Sequence, residues 1–112
     1  WLDGGRTLCV ANGRSGTLSL VDADSWQVNG EIAIAGSLSG LAIVPGGSRL
    51  VALDDAQHRL ILLDSIGNTP KAVAEARVAP YPVCVSVSPD GRQAYVASLW
   101  SRRLSVVSAV MG

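Results

Sequence analysis

The stretch Ser88–Ser108, SPDGRQAYVASLWSRRLSVVS, determines the fold that this sequence predicts. It begins with a turn-forming tetrapeptide, Ser88–Gly91, and continues with two runs of alternating apolar residues, Ala94–Ser98 and Leu104–Val107. Asp and Gly favour tight turns, and alternation with a period of two is typical of β-strands. The stretch therefore predicts a β-hairpin that is preceded by its own entry turn.

The same pattern occurs three times along the chain. Each copy has two landmarks, a glycine before the first strand and a residue that ends the second strand: Gly5 and Asp22, Gly47 and Asp64, Gly91 and Ser108. Both landmarks recur after 42 and then after 44 residues, and the two extra residues fall in the turn Ser65–Pro70. A repeat of about 40–45 residues that contains several short strands is typical of one β-propeller blade.

The repeat predicts an all-β fold with one partial β-propeller domain over residues 1–112. We expect about two and a half four-stranded antiparallel blades of a larger, seven-bladed ring. Blade I has its strands within residues 7–34, blade II within 40–78 and blade III within 83–108. Blade I lacks its innermost strand and blade III its outermost. Gly40–Val44 and Val83–Val87 are the predicted innermost strands of the other two blades.

The hairpin of blade III resembles a known repeat family. Pro89–Gly91, Ala94–Ser98 and Leu104–Val107 are similar to the bacterial YVTN repeats of the WD40-like propeller superfamily. A blade of that family reads as a Ser-Pro-Asp-Gly turn, a Tyr-Val-Ala-Asn strand and a Val-Ser-Val-Ile-Asp strand. The first copy matches it at Leu8–Asn12, and the middle copy is looser at Leu50–Asp54. The resemblance implies a propeller fold and leaves the function open.

Composition supports the same architecture and argues against two kinds of partner. The chain is 48% apolar and 16% charged, which suits strands that are covered on both faces. Its net charge is zero, so we expect no nucleic-acid partner. No apolar run approaches the ~18 residues of a membrane span, so we expect none. An incomplete ring leaves an apolar face at each end, which predicts part of a longer protein or, alternatively, ring closure by oligomerisation.

Few residues are candidates for catalysis or metal binding. Cys9 and Cys84 lie in different blades, so we expect buried free thiols and no disulfide. His58 has only Asp54 and Asp55 as possible co-ligands, and we interpret it as part of a solvated turn. Asp54 and Asp55 are adjacent at the end of a strand, so their carboxylates point in different directions. This favours a role in the turn over acid–base catalysis, which needs two carboxylates that face one substrate. We therefore expect no catalytic, cofactor-binding or metal-binding residue in this segment.

The hairpin turn Leu99–Arg102 carries side chains that are unusually large and apolar for a turn. Turns of this kind emerge at the same end of a propeller as the loops that join blades, and Trp, Tyr and Arg often anchor interfaces. The alternative is that the tryptophan folds over a neighbouring blade. The predicted interaction face consists of Asn12, Asp54, His58, Tyr81, Leu99, Trp100 and Arg102.

Two functions from different classes fit these observations. The first is a non-catalytic scaffold that binds a protein or ligand on this face, with another protein or the remaining blades of the propeller as partner. The second follows from the resemblance, because such propellers are similar to quinoprotein, lactonase and cytochrome c-associated proteins of the bacterial periplasm. The active groups would then lie outside this segment, and the expected location is periplasmic or extracellular. A haem-attachment motif, Cys-x-x-Cys-His, does not occur in this sequence.

Overall fold

The computed structural model describes residues 5–46, 49–64 and 70–108, which form ten β-strands and no α-helix. The strands follow the predicted order and alternate with short turns. They are β1 (Thr7–Asn12), β2 (Thr17–Asp22), β3 (Val28–Ala33), β4 (Leu38–Val44), β5 (Arg49–Asp54), β6 (Arg59–Asp64), β7 (Lys71–Arg77), β8 (Pro82–Val87), β9 (Gln93–Ser98) and β10 (Arg103–Ser108).

The strands form three antiparallel sheets. The first sheet has the order β1-β2-β3, the second β4-β5-β6-β7 and the third β8-β9-β10. This arrangement confirms the predicted all-β fold of partial propeller blades, with three, four and three strands among the described residues. The landmark Gly47 and residues 65–69 of the longer turn lie outside those residues.

Each sheet contains the same hairpin, closed by a four-residue turn after Asn12, Asp54 or Ser98. The last residue of each turn has a positive φ, 68° at Gly16, 55° at His58 and 51° at Arg102. Glycine adopts this left-handed conformation without strain, whereas other residues do so at a cost. The first turn requires glycine for a second reason as well, because a Cβ at position 16 would lie 1.9 Å from the carbonyl oxygen of Ala35.

The outer strands of the first two sheets are irregular. The pairing of β2 with β3 shifts between Leu20 and Val21, which leaves Asn29 without an opposite residue. The irregularity falls at an Asn29-Gly30 pair, and the register identifies it as a bulge. A bulge increases the local twist of an edge strand and makes it a poorer template for pairing with other chains.

Two apolar cores lie between neighbouring sheets. The first joins Leu18 and Leu20 to residues of β5 and β6. The second joins the opposite face of β5 and β6 to Val96 of β9. Leu50–Leu53 and Leu60–Leu63 are buried throughout, because the second sheet is covered on both faces. Each fully buried leucine contributes about 1.5–3 kcal/mol relative to an exposed one.

The sheets converge at their innermost strands. β4 and β8 lie next to each other, and the hydroxyl of Ser39 donates a 2.6 Å hydrogen bond to the carbonyl oxygen of Pro82. At the periphery, most residues of β7 are exposed. This layout confirms Gly40–Val44 and Val83–Val87 as inner strands. It also places the hairpin turns and the loops between sheets at one common end of the molecule.

Candidate interaction surface at the hairpin turns

The loop that joins the second and third sheets lies between two hairpin turns. The backbone N–H of Val78 donates to the carbonyl oxygen of His58 at 3.1 Å, which attaches the loop to the turn of the second sheet. The N–H of Leu99 donates to the carbonyl oxygen of Tyr81 at 3.0 Å, which attaches the turn of the third sheet to the loop. These bonds fix the relative positions of three consecutive segments.

His58 and Tyr81 also contact each other through their side chains. The Nδ1 atom of His58 accepts a 3.2 Å hydrogen bond from the backbone N–H of Tyr81. The two rings meet edge to face with their centroids 5.4 Å apart. In a neutral imidazole with Nδ1 as acceptor, Nε2 carries the proton. His58 therefore holds Tyr81 in place and has a ring N–H that remains a donor.

The large side chains of this region are exposed. Trp100 is 75% exposed, Leu99 59% and Tyr81 53%, and Arg102 beside them is exposed as well. Trp100 therefore does not cover a neighbouring sheet among the described residues. We refer to Tyr81, Leu99, Trp100 and Arg102, together with the half-buried His58, as the hairpin-turn surface. Exposed apolar groups clustered in this way mark binding sites more often than isolated ones do.

Asp54 does not lie on this surface, although its position before a turn predicted that it would. Its side chain is fully buried. One carboxylate oxygen accepts hydrogen bonds from the backbone N–H groups of Ala56 at 3.0 Å and Gln57 at 3.1 Å. The other oxygen pairs with Nε of Arg59 at 2.8 Å. The carboxylate is therefore committed to its own turn and offers nothing to a partner.

Asn12 is also placed differently from the prediction. Its amide nitrogen donates to the hydroxyls of Thr17 at 3.0 Å and Ser19 at 2.7 Å. Thr17 in turn donates to the carboxylate of Glu31 at 2.8 Å. The side chain of Asn12 thus lies across the outer face of the first sheet and away from the turn surface, because the parity of β1 directs position 12 onto that face.

The hydrogen-bonded series of side chains on the first sheet, Asn12–Thr17–Glu31, has a counterpart on the second sheet. There Asp54 pairs with Arg59, and Arg59 also pairs with Glu75 on the outer strand. The hydrogen bond that Arg59 donates to Asp54 raises the pKa of Arg59 above its already high value, so the guanidinium stays charged. The sequence analysis did not predict this second series of paired side chains. The sequence does contain a signal for it, because the 42-residue interval aligns Asn12 with Asp54 and Thr17 with Arg59.

The two cysteines have different environments. Both are free, as predicted, but only Cys9 is partly buried. Burial raises the pKa of the Cys9 thiol and makes it less reactive. Cys84 is exposed, so the prediction of a buried thiol was wrong for this residue. It lies on the face of the third sheet that no other described sheet covers.

The hairpin-turn surface offers apolar area and N–H donors. Within the described ranges, no group of three or more His, Cys, Asp or Glu residues is arranged to hold a metal ion. The same part of the chain has no helix that is long and apolar enough to cross a membrane. The chemistry available at the turns is therefore that of binding through aromatic and aliphatic contacts and donated hydrogen bonds.

No protein-family model matches this sequence, and no curated protein sequence matches it either. Solved structures do match the fold. The chain is 26% identical to hydrazine synthase from Kuenenia stuttgartiensis, with a TM-score of 0.82 over 93% of this chain and 30% of that one.

Two further structures agree in fold at lower identity. A candidate 6-phosphogluconolactonase from Bacteroides fragilis superposes with a TM-score of 0.84 at 15% identity, over 96% of this chain and 33% of that one. The β-propeller domain of Myceliophteria thermophila Cps50 (Swd1) gives a TM-score of 0.79 at 18% identity, over 97% of this chain and 34% of that one. The chain spans about a third of the length of each of these structures. Sheet topology and structural similarity together establish a β-propeller fold.

Proposed function

We propose that this chain is a non-catalytic scaffold segment of a β-propeller and binds another protein through the hairpin-turn surface. The observation that carries the proposal is the exposure of Tyr81, Leu99 and Trp100 on one rigid surface. Aromatic residues and arginine are enriched at the energetic centres of interfaces. A turn that only connected two strands would have no need for a side chain of this size.

The rigidity of the surface supports the proposal. The loop before Tyr81 is attached to the hairpin turns on both sides, and Ser98 donates a further 2.9 Å hydrogen bond to the carbonyl oxygen of Ala79. Side chains on such a framework lose little backbone freedom when a partner binds. Tyr81 and Arg102 are even held at positive φ, 60° and 51°. Strained backbone of this kind occurs often at functional sites.

We further propose that the chain belongs to a longer propeller of the YVTN type and is located in the periplasm or outside the cell. The hairpin motifs support the family, and the greater length of the matched structures supports the longer ring. That residues 1–112 form one partial propeller domain also remains a prediction. The sequence of the parent gene tests the location, because a signal peptide is required for it.

The second candidate function is a segment of a propeller enzyme or electron-transfer protein. The 26% identity to a hydrazine synthase favours this alternative. The reactive groups would then lie in other parts of the protein. A haem-attachment motif in the parent sequence would support the alternative, and so would a redox signal from the purified full-length protein.

A peptide-display selection against the chain tests the scaffold proposal. We expect the selected peptides to bind the wild-type chain and to lose about 30-fold or more in affinity with Trp100→Ala, as for an interface anchor. Trp26→Ala is the matched control, because Trp26 is 64% exposed but lies in the β2–β3 turn at the opposite end of the sheets. Peptides that bind equally well to Trp100→Ala would contradict the proposal.

A further inference from the structure

Exposed arginines lie at the end of the sheets that carries the hairpin turns. They are Arg14 in the first turn, Arg77 at the end of β7, Arg102 in the third turn and Arg103 at the start of β10. Within the ranges that the structure describes, no carboxylate lies at ion-pair distance from any of these four side chains. Their positive charge is therefore available to a partner.

The carboxylates near the same end are engaged within the chain. Asp54 is fully buried, and both of its oxygens accept hydrogen bonds. Asp55 accepts a hydrogen bond from the hydroxyl of Ser37. The two glutamates on the outer strands are also paired, Glu31 with Thr17 and Glu75 with Arg59. None of these carboxylates balances the exposed arginines.

The polar side-chain groups of the hairpin-turn surface are mostly hydrogen-bond donors. The guanidinium of Arg102 and the indole N–H of Trp100 can only donate. His58 uses Nδ1 to accept the N–H of Tyr81, so its Nε2–H is a donor as well. Only the hydroxyl of Tyr81 can also accept. Such a surface is complementary to groups that only accept, and an ionised carboxylate is a group of this kind.

The third turn holds Arg102 beside the apolar part of the surface. The hydroxyl of Ser101 donates a 3.4 Å hydrogen bond to the carbonyl oxygen of Pro80, which directly precedes Tyr81. Arg102 follows Ser101 and keeps a φ of 51° at a position where the first sheet has Gly16. A strained residue in place of glycine favours a role for its side chain, because strain of this kind occurs often at functional sites.

We propose that the partner presents an acidic peptide segment to the hairpin-turn surface, with a carboxylate on Arg102 and an apolar side chain on Leu99 and Trp100. This proposal rests on the proposed function, because it specifies the partner of the same surface. A guanidinium can hold a carboxylate through two parallel hydrogen bonds, and the other arginines attract the same charge at longer range. Leu99 favours a peptide over a nucleic acid, since a sugar–phosphate backbone offers it no apolar contact.

Parallel peptide-display selections against the wild type and three variants test the proposal. We expect peptides selected on the wild type to be enriched in Asp and Glu relative to the unselected library. Arg102→Gln should lose most of this enrichment, and Arg102→Lys should retain it because the charge remains. Arg92→Gln is the matched control and should select as the wild type does. Arg92 is also exposed, but it lies in the turn before β9, at the opposite end of the third sheet.

The affinity of one selected peptide measures the contact itself. Replacing its Asp and Glu residues with Asn and Gln should weaken binding to the wild type by about fivefold or more. The same replacement should have little effect on binding to Arg102→Gln, because the two changes remove one shared contact. Equal losses with the wild type and with Arg102→Gln would overturn the proposed contact.

The outcomes separate this proposal from the one on which it rests. Peptides that require Trp100 but show no acidic enrichment would overturn the acidic partner and leave the interaction surface intact. Acidic peptides that bind equally well to Trp100→Ala would overturn both proposals, and so would a selection that yields no binding peptide. A mixed-sequence single-stranded DNA that binds more tightly than the selected peptides would identify a nucleic acid as the ligand and overturn the acidic partner.

Discussion

Asp54 shows how one residue can stabilise a hairpin that a sequence motif only outlines. Its carboxylate closes the turn by accepting two backbone N–H groups and pairs with Arg59. Hydrogen bonds to a buried charged group are worth about 1.5–3 kcal/mol each, partly offset by desolvation. Asp54 therefore stabilises the fold, and neither of its carboxylate oxygens is free to take part in a reaction.

Replacing Asp54 with alanine should lower the free energy of unfolding by about 2–4 kcal/mol, because the turn N–H groups and the guanidinium lose their acceptor. Asp54→Asn keeps an oxygen for the N–H groups and should cost less. Glu75→Gln is the control, since Glu75 is exposed and its pairing should contribute less than about 1 kcal/mol. Urea denaturation at constant protein concentration measures all three. An Asp54→Ala variant as stable as the wild type would show that the turn does not need the carboxylate.

The hairpin is the element that the sequence predicts best. The strand positions follow from the alternation of apolar residues, because this alternation depends on local backbone geometry. Asn12, Asp54 and Cys84 were placed incorrectly because their environments depend on neighbouring strands and sheets. A polar residue before a turn can point to solvent or across the sheet, and its partners on the neighbouring strand decide between them, as Thr17 and Ser19 do for Asn12. A cysteine on a strand is buried only if another sheet covers it.

Substitutions at the last position of the hairpin turn, where φ is positive, test how the backbone conformation of the turn affects stability. Gly16→Ala should cost at least about 2 kcal/mol, because it combines a positive φ with a backbone clash at Ala35. Arg102→Gly should stabilise the chain by about 0.5–1 kcal/mol by removing the strain at the equivalent position. His58→Gly should gain less, because it also loses the hydrogen bond and ring contact with Tyr81. Destabilisation by Arg102→Gly would show that its side chain supports the turn.

At the scale of the whole molecule, the proposed binding surface and the folding core are different surfaces. The sheet faces carry the apolar packing between neighbouring sheets. The sheet ends carry the hairpin-turn surface, whose exposed side chains lie outside both apolar cores. This separation is what allows a repeat fold to keep its core while its turns vary, as loops on a rigid framework do.

The unfolding free energy of Trp100→Ala tests this separation most directly. It should be measured on the full chain at one fixed protein concentration, because association shifts apparent stability. We expect a change within about 0.5 kcal/mol, as for surface substitutions. A loss of about 3–5 kcal/mol with Trp100→Ala would mean that the indole is buried against a sheet, and would contradict its assignment to an interaction surface.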